Sequence, residues 1–358
     1  MLYREAGQFK TSYQADQQLF PIRQDRIGVL AVLIVAFAVI PLIGTEYWFQ
    51  AILIPFLVLS LAALGLNILT GYAGQLSLGT AAFMAVGAFG AYNLVLRIPW
   101  MPILLGFVLA GLCAALVGML FGLPSLRIKG FYLAVTTLAA QFFVVWALTH
   151  FGWFSNYSSS GVISAPPIQI AGYRFDTPRS LYLLVLAIVV LLALVAKNLV
   201  RSESGRAWMA VRDMDVAAAV IGIPVTKTKL TAFAVSSFYC GVAGALYAFV
   251  YLGTVEPDAF NLDLSFRILF MIVIGGLGSI LGSFLGAAFI TLFPIFLSRY
   301  GESLSSAMGV ELPSGMISNV VLIVFGALIV FFLAVEPLGF ARLWQTVKEK
   351  LRLWPFPH

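Results

Sequence analysis

The chain has 358 residues, of which 61% are hydrophobic and 10% are charged, and its net charge is +6. Soluble domains carry about 25% charged residues, so this composition excludes an ordinary soluble globular protein and indicates a membrane protein. The basic residues lie mainly between apolar runs, which fits contact with membrane lipid and argues against a nucleic-acid partner. The two cysteines, Cys113 and Cys240, lie inside apolar runs, so we predict no metal site.

Apolar runs long enough to cross a bilayer as helices follow one another along most of the chain. We predict an all-α polytopic membrane protein with an N-terminal tail at 1–26, a transmembrane domain at 27–335 and an amphipathic tail at 336–358. In the last region, apolar and basic residues alternate at helical spacing, as in a helix that lies on the inner leaflet. The predicted apolar segments are 27–44, 48–69, 76–96, 101–123, 131–149, 180–200, 228–250, 264–297 and 313–335.

The distribution of charge predicts which parts of the chain face the cytoplasm. Both tails and the connection 201–229 are basic, so the positive-inside rule makes all three cytoplasmic. Connections 251–263 and 298–312 are then external. Because both ends lie on one side, the number of full crossings is even, and the long run 264–297 is best explained as a re-entrant hairpin interrupted by glycines. We therefore expect about eight to ten transmembrane helices in total.

A second interruption lies near the start of the transmembrane domain, at Gly71, Gly74 and Gly79. Non-helical backbone at membrane depth occurs where protein or a water-filled cavity surrounds it. Two broken segments, one in each half of the chain, are typical of a transporter whose solute path runs between the halves. Close packing through small residues is the alternative explanation, and Gly282 and Gly286, four residues apart, fit it.

Almost every ionisable residue between 27 and 335 lies in a connection or at a span end, and none lies deep in a predicted helix. The chain therefore has no predicted intramembrane relay of the kind that proton-coupled carriers use. It also has no GxxxxGK(S/T) phosphate loop, so ATP hydrolysis is expected on separate subunits. We predict no catalytic residue and no cofactor in this chain. A self-sufficient secondary carrier or a channel for a small polar solute of the urea or amide type remains the alternative.

The connection 201–229 has a strong pattern. Ser204 can cap a helix that Gly222 and Pro224 terminate. A short helix parallel to the membrane would serve as a docking element for a partner protein. The alternative is a charged connection that is simply solvated by water.

Three motifs occur in order in this one membrane chain. Residues 71–79 read Gly-Tyr-Ala-Gly-Gln-Leu-Ser-Leu-Gly, residues 205–212 read Gly-Arg-Ala-Trp-Met-Ala-Val-Arg, and residues 275–279 read Gly-Gly-Leu-Gly-Ser. Together they resemble the M-type permease of the branched-chain amino-acid ABC importers, which are related to the urea and amide importers. The resemblance covers roughly residues 50 to 335.

The resemblance implies a type II ABC importer permease in the bacterial inner membrane. Its implied partners are a second, H-type permease, two cytoplasmic ATPase subunits that hold ATP and Mg²⁺, and a periplasmic solute-binding protein. The implied solute is a branched-chain amino acid or a related amino-acid-like or carboxylate compound. The chain departs from the family pattern at Ala219, where an acidic residue is expected, and at 158–161, where a Thr-Gly-Gly-type turn is expected.

Two groups of residues are the predicted functional sites. In this family the connection 201–229 would contain the coupling helix that enters a cleft of an ATPase. The residues expected there are Gly205, Arg206, Arg212, Asp215, Ala217, Ala218 and Gly222. The residues expected to line the solute path are Asn67, Gly74, Gln75, Ser77, Thr136, Thr137 and Gln141. Hydrogen bonding between helices is the alternative role for the polar members of the second group.

Overall fold

Helices form nearly all of the regular structure, as the composition predicts. The computed structural model describes residues 12, 23–98, 100–125, 131–158, 162–170, 172–308, 323–324, 326–328, 330–332 and 339–353. Within these residues, seven helical spans are long and apolar enough to cross a membrane. They are Asp25–Ile43, Trp48–Tyr72, Thr80–Arg97, Ile103–Pro124, Tyr132–His150, Pro178–Arg201 and Val225–Leu252. The first seven predicted spans are thus confirmed, while most of the predicted N-terminal tail and of the predicted span 313–335 lies outside the described residues.

The helices are numbered here in chain order. The first seven are α1 (Arg23–Ile34), α2 (Ile40–Ile43), α3 (Ile54–Asn67), α4 (Thr80–Arg97), α5 (Ile103–Ser125), α6 (Phe131–His150) and α7 (Pro178–Arg201). The others are α8 (Glu203–Asp213), α9 (Asp215–Val220), α10 (Val225–Leu246), α11 (Leu262–Gly275), α12 (Ile280–Met308) and α13 (Gly339–Leu353). Wider π-helical turns at Val35–Val39, Trp48–Leu53, Ile68–Tyr72 and Tyr247–Leu252 belong to the same spans, and Pro257–Phe260 forms a 3₁₀ turn.

Four short strands lie in the connections at one end of the bundle. They are β1 (Ile163–Ser164), β2 (Gln169–Ile170), β3 (Tyr173–Arg174) and β4 (Thr254–Val255). β1 pairs antiparallel with β4, with Ile163 opposite Val255, and β2 pairs antiparallel with β3. Because β4 follows the span Val225–Leu252, the first ladder joins two connections that are far apart in sequence. At the same end, the Arg97 guanidinium lies 3.9 Å from the centre of the Trp153 ring.

The centre of the bundle is packed through small residues. A β-carbon at Gly87 of α4 would overlap the backbone of Gly241 of α10, and a β-carbon at Gly244 would overlap the backbone of Met84. Such contacts let helix backbones approach closely, which is how helices associate in a membrane. The span Trp48–Tyr72 is largely buried between its neighbours, whereas Asp25–Ile43 is almost entirely exposed at the edge of the bundle.

The run 264–297 forms two antiparallel helices separated by glycines, so the hairpin is present, and its re-entrant position in the membrane stays a prediction. α11 has 14 residues and is therefore about 21 Å long, too short for a hydrocarbon core of about 30 Å. α12 returns antiparallel beside it, and a β-carbon at Gly286 would overlap the carbonyl oxygen of Met271. The apolar run ends at 297, but the helix continues to Met308, because polar residues without proline continue a helix beyond an apolar segment.

The C-terminal helix α13 lies against the turn of this hairpin. A β-carbon at Gly339 would overlap the carbonyl oxygen of Ile274, and the Phe340 ring lies 5.3 Å from the Phe289 ring of α12. Lys348 forms an ion pair with Asp25 at the start of the first span. The turn of the hairpin, the start of α1 and the helix α13 are therefore at the same end of the bundle.

Candidate functional site

The two glycine-broken segments touch each other. The chain is non-helical between the π-helical turn that ends at Tyr72 and the start of α4, and again between α11 and α12. A β-carbon at Gly71 would overlap the amide nitrogen of Gly278, so the contact requires glycine at position 71. Gly74 and Gly278 have φ angles of 69° and 72°, in the left-handed region where other residues are strained. The sequence predicts two breaks, and the structure adds that they form one junction.

Asn67 holds the second break in place. This residue ends α3 and is completely buried. Its side-chain nitrogen donates to the carbonyl oxygen of Ser279 and to the hydroxyl of Ser283, both at 2.8 Å. Its side-chain oxygen accepts from the amide of Gly278 at 2.9 Å. Backbone groups at a break have lost their helical partners, and the Asn67 carboxamide supplies new ones. Hydrogen bonding between helices is therefore what the side chain of this residue does in this structure.

The start of α4 is held in a similar way by residues of α6. The amide of Leu78 donates to the hydroxyl of Thr137 at 2.9 Å, and the amide of Ala82 donates to the side-chain oxygen of Gln141 at 2.7 Å. The side-chain nitrogen of Gln141 donates in turn to the carbonyl oxygen of Phe260 at 2.8 Å. Thr137 and Gln141 are both buried, so these bonds replace partners that water would supply at an exposed helix end.

The other predicted path residues differ from one another. Ser77 is buried, and its hydroxyl accepts from the backbone two residues later at 3.3 Å. Thr136 is only partly buried and donates to a carbonyl of its own helix, so the structure does not bring it to the junction. Gln75 is 4% exposed, and neither polar atom of its carboxamide has a partner among the described residues. A buried polar group without a partner costs about 1–3 kcal/mol, so the Gln75 carboxamide is prepared to bind another molecule, as are the buried hydroxyls of Thr80 and Ser237, which also lack a described partner.

Arg212 joins the connection 201–229 to this junction. Its guanidinium donates to the carbonyl oxygen of Gly71 at 2.9 Å. A β-carbon at Gly74 would lie 2.7 Å from the Arg212 side chain. The other edge of the guanidinium bonds Asp213, with distances of 2.8 and 2.9 Å. The side chain that we expected at an ATPase surface is therefore bonded inside the chain, and its contact with an ATPase stays a prediction.

The connection contains two helices where the sequence analysis expected one. α8 begins at Glu203 rather than after a Ser204 cap, and it ends at Asp213. Met214 has extended backbone angles, φ −159° and ψ 99°, and α9 follows it with Asp215 in its first turn. The single-helix expectation was wrong because an acidic residue favours the start of a new helix at this point.

The predicted coupling residues fall into an inward and an outward group. A β-carbon at Gly205 would overlap the carbonyl oxygen of Val200, Asp215 pairs with Lys229 at 3.6 Å, and Ala218 is buried. These three are inward. The outward group is exposed and consists of Arg206, Ala217 and Gly222. Arg212, which belongs to neither group, remains 37% exposed despite its bond to Gly71, so a partner can reach it as well as the outward group.

α9 and the residues that flank it present an apolar surface that the motifs do not predict. Its members are Met214, Val216, Ala217, Val220 and Ile221, which we call the apolar tip. Val220 is 83% exposed and Ile221 73% exposed. Exposed apolar residues grouped in this way are typical of a surface that contacts another protein or a membrane. The signal in the sequence is the apolar run 216–221 between charged residues, and it is visible once helix α9 is separated from α8.

The comparisons with known proteins agree with this geometry. A family profile described as "Branched-chain amino acid transport system / permease component" matches residues 49–333. The chain belongs to this family. The matched region contains both broken segments and the whole connection 201–229, so the resemblance and the polytopic permease fold are confirmed. A permease component is a transporter subunit and not an enzyme.

The sequence of the chain is also similar to those of three curated permease proteins. The high-affinity branched-chain amino acid transport system permease protein LivM of Salmonella typhimurium (strain LT2) is 31% identical over 262 residues, covering 67% of this chain and 61% of that protein. LivM of Escherichia coli (strain K12) is 33% identical over 239 residues, covering 60% and 56%. The probable LivM permease of Methanocaldococcus jannaschii is 25% identical over 316 residues, covering 78% and 89%. The chain thus spans less than two thirds of the first two relatives, and no solved structure matches it.

Proposed function

We propose that the chain is the transmembrane permease subunit of an ATP-driven importer for branched-chain amino acids or a related amino-acid-like solute. Membership of a family of transport-system permease components carries this proposal. The named relatives from Salmonella and Escherichia belong to branched-chain amino acid transport systems, which supports the same class of solute. The site of action is the bacterial inner membrane. The working complex contains an H-type permease, two ATPase subunits that bind ATP and Mg²⁺, and a periplasmic solute-binding protein.

We propose that both tails and the connection 201–229 face the cytoplasm. The ion pair between Lys348 and Asp25 supports this orientation, because it joins the C-terminal helix to the start of the first span. Lys197, near the end of α7, interacts electrostatically with Asp25, Arg201 and Lys348. Lys197, Arg201 and Lys348 thus lie close together around Asp25 at one end of the bundle, and the positive-inside rule assigns such a basic end to the cytoplasm.

The apolar tip is the proposed docking surface for an ATPase. It projects from the end of the bundle that we assign to the cytoplasm, and its residues are the most exposed apolar ones of the connection. Ala217 belongs to this tip, Gly222 follows it directly, and Arg206 is exposed on α8. Gly205, Asp215 and Ala218 are proposed to act indirectly, by fixing α8 and α9 to the bundle.

Gln75 is the proposed solute contact at the junction. Asn67, Thr137 and Gln141 use their polar atoms to hold broken backbone, whereas the Gln75 carboxamide has no described partner. A carboxamide offers both a donor and an acceptor to the ammonium and carboxylate groups of an amino acid. Gly74 and Ser77 lie in the same non-helical segment as Gln75, and we propose that they line the solute path beside it.

The test is uptake of radiolabelled leucine into proteoliposomes that contain this chain with its H-type permease, ATPase subunits and binding protein. We expect uptake only with ATP and only with the ATPase subunits present. Uptake by the permease without ATPase subunits would favour the carrier or channel alternative instead. Family membership does not favour that alternative, because a permease component works within a larger system.

A second measurement tests the docking surface. Val220→Asp places a charge in an apolar contact and should reduce co-purification of the ATPase by about tenfold or more. Val220→Leu is the matched control, since it keeps the surface apolar and should behave as the wild type. Wild-type co-purification and uptake by Val220→Asp would show that the ATPase docks elsewhere.

A further inference from the structure

The Arg212 side chain touches both broken segments from outside the bundle. Its guanidinium donates to the Gly71 carbonyl at 2.9 Å. Its terminal nitrogen also lies 3.5 Å from the position that a β-carbon at Gly278 would occupy. Gly71 and Gly278 are 207 residues apart in the numbering, so few side chains can reach both. Arg212 therefore sits where the first break, the second break and the docking connection meet.

The surroundings of Arg212 make this contact specific. Asp213 bonds one edge of the guanidinium and so fixes the direction in which the remaining nitrogen points. Trp208, one turn earlier on α8, is buried and donates to the hydroxyl of Thr231 at 3.2 Å. α8 is thereby held on α10, and Arg212 near its end reaches the Gly71 carbonyl. Arg206, on the same helix, is exposed and donates to the carbonyl oxygen of Arg201 at 2.8 Å.

We propose that Arg212 is a positioning residue that couples movement of the docking connection to the junction of the two broken segments. In the position of α8 seen here, the bond to Gly71 holds the first break against Gly278. A shift or rotation of α8 withdraws the guanidinium, and the Gly71 carbonyl loses its partner. The two breaks then separate more easily, because their contact has lost the group that bridges it. This proposal rests on the proposed transport function, since it describes how ATPase movement reaches the solute path.

The first experiment separates coupling from docking. Arg212→Ala should leave ATPase co-purification and basal ATP hydrolysis as in the wild type. Leucine uptake, and the stimulation of hydrolysis by loaded binding protein, should both fall about tenfold. Arg212→Lys retains the charge and one donor and should restore part of both. Arg179→Ala removes an exposed arginine at the opposite end of α7, away from the connection, and is the control that should change neither.

The second experiment is a double-mutant cycle with Gly74. Gly74→Ala places a methyl group against the Arg212 side chain, and it also strains a backbone with φ 69°. The strain is present in both the Arg212 and the Arg212→Ala backgrounds and cancels in the cycle. If Arg212 acts on this segment, Gly74→Ala should reduce uptake less in the Arg212→Ala background than in the wild type.

Three results would overturn the proposal. Loss of ATPase co-purification in Arg212→Ala would make Arg212 a docking contact. Normal uptake and normal stimulation in that variant would show that the bond to Gly71 has no role in transport. Equal effects of Gly74→Ala in both backgrounds would show that the two residues act independently. If the wild-type complex shows no ATP-dependent uptake, the proposed function itself fails, and that failure is distinguishable from these.

Discussion

Replacing Asn67 with leucine tests how the second break is stabilised. Leucine has nearly the same shape as asparagine, so the cavity is filled but the hydrogen bonds are lost. The Gly278 amide and the Ser279 carbonyl oxygen lose their bonds to this side chain, as does the Ser283 hydroxyl. These groups are at a buried position where water is excluded, so we expect the turn between α11 and α12 to open more often.

The size of the effect follows from the number of lost bonds. A buried group without a partner costs about 1–3 kcal/mol, but side-chain bonds within membranes average only about 0.6 kcal/mol. For two backbone groups and one hydroxyl we expect about 2 kcal/mol, which corresponds to about 30-fold more frequent opening. Amide hydrogen exchange measures this directly, because the Gly278 amide is bonded to Asn67 and should exchange about 30-fold faster in Asn67→Leu.

Asn93 provides the matched control for this experiment. It is also buried, and its side chain donates to the carbonyl oxygens of Phe89 and Phe154, at the other end of α4. Asn93→Leu should leave exchange at Gly278 unchanged. Unchanged exchange in Asn67→Leu as well would refute the argument that this carboxamide holds the break, and it would leave helix packing as the explanation.

Three further predictions concern the hairpin and the tails. Gly286→Leu should prevent α11 and α12 from closing and abolish folded protein in size-exclusion chromatography, whereas Gly28→Leu, whose β-carbon has open space, should not. Asp25→Lys should loosen α13 by under about 1 kcal/mol and increase its proteolysis, and adding Lys348→Asp should restore protection; no restoration would contradict the ion pair. Ser303→Cys should react with an impermeant thiol reagent from the external side, and labelling only from the cytoplasmic side would contradict the predicted orientation.

Hydropathy and glycine spacing were sufficient to predict most of the fold. A helix in a bilayer must satisfy the hydrogen bonds of its own backbone and present apolar side chains to lipid. The seven described spans therefore follow from the hydropathy of the sequence. The breaks were predictable for the same reason, because glycines such as Gly71 and Gly276 interrupt otherwise continuous apolar runs. The length of α12 was not predictable in this way, because the apolar run in the sequence ends at residue 297, whereas the helix continues to Met308.

The roles of single polar residues could not be predicted from the sequence. Asn67 and Gly278 are 211 residues apart, and Arg212 and Gly71 are 141 residues apart. Which of two buried carboxamide side chains has a hydrogen-bond partner depends on packing across the bundle and not on neighbouring residues in the chain. Asn67 and Gln75 look equivalent in the sequence, yet the structure pairs the first completely and leaves the side chain of the second without a described partner.

The break between α8 and α9 determines how movement of the connection reaches the bundle. α8 is fixed to the bundle by Trp208 and by the close contact of Gly205 with Val200. α9 carries the apolar tip, and Met214 is the one extended residue between the two helices. A single residue is too short to absorb movement as a flexible linker would, so a force applied to the tip reaches the end of α8. Arg212 is the second-last residue of α8, and its bond to Gly71 is therefore the contact with the proposed solute path that such a force would disturb first.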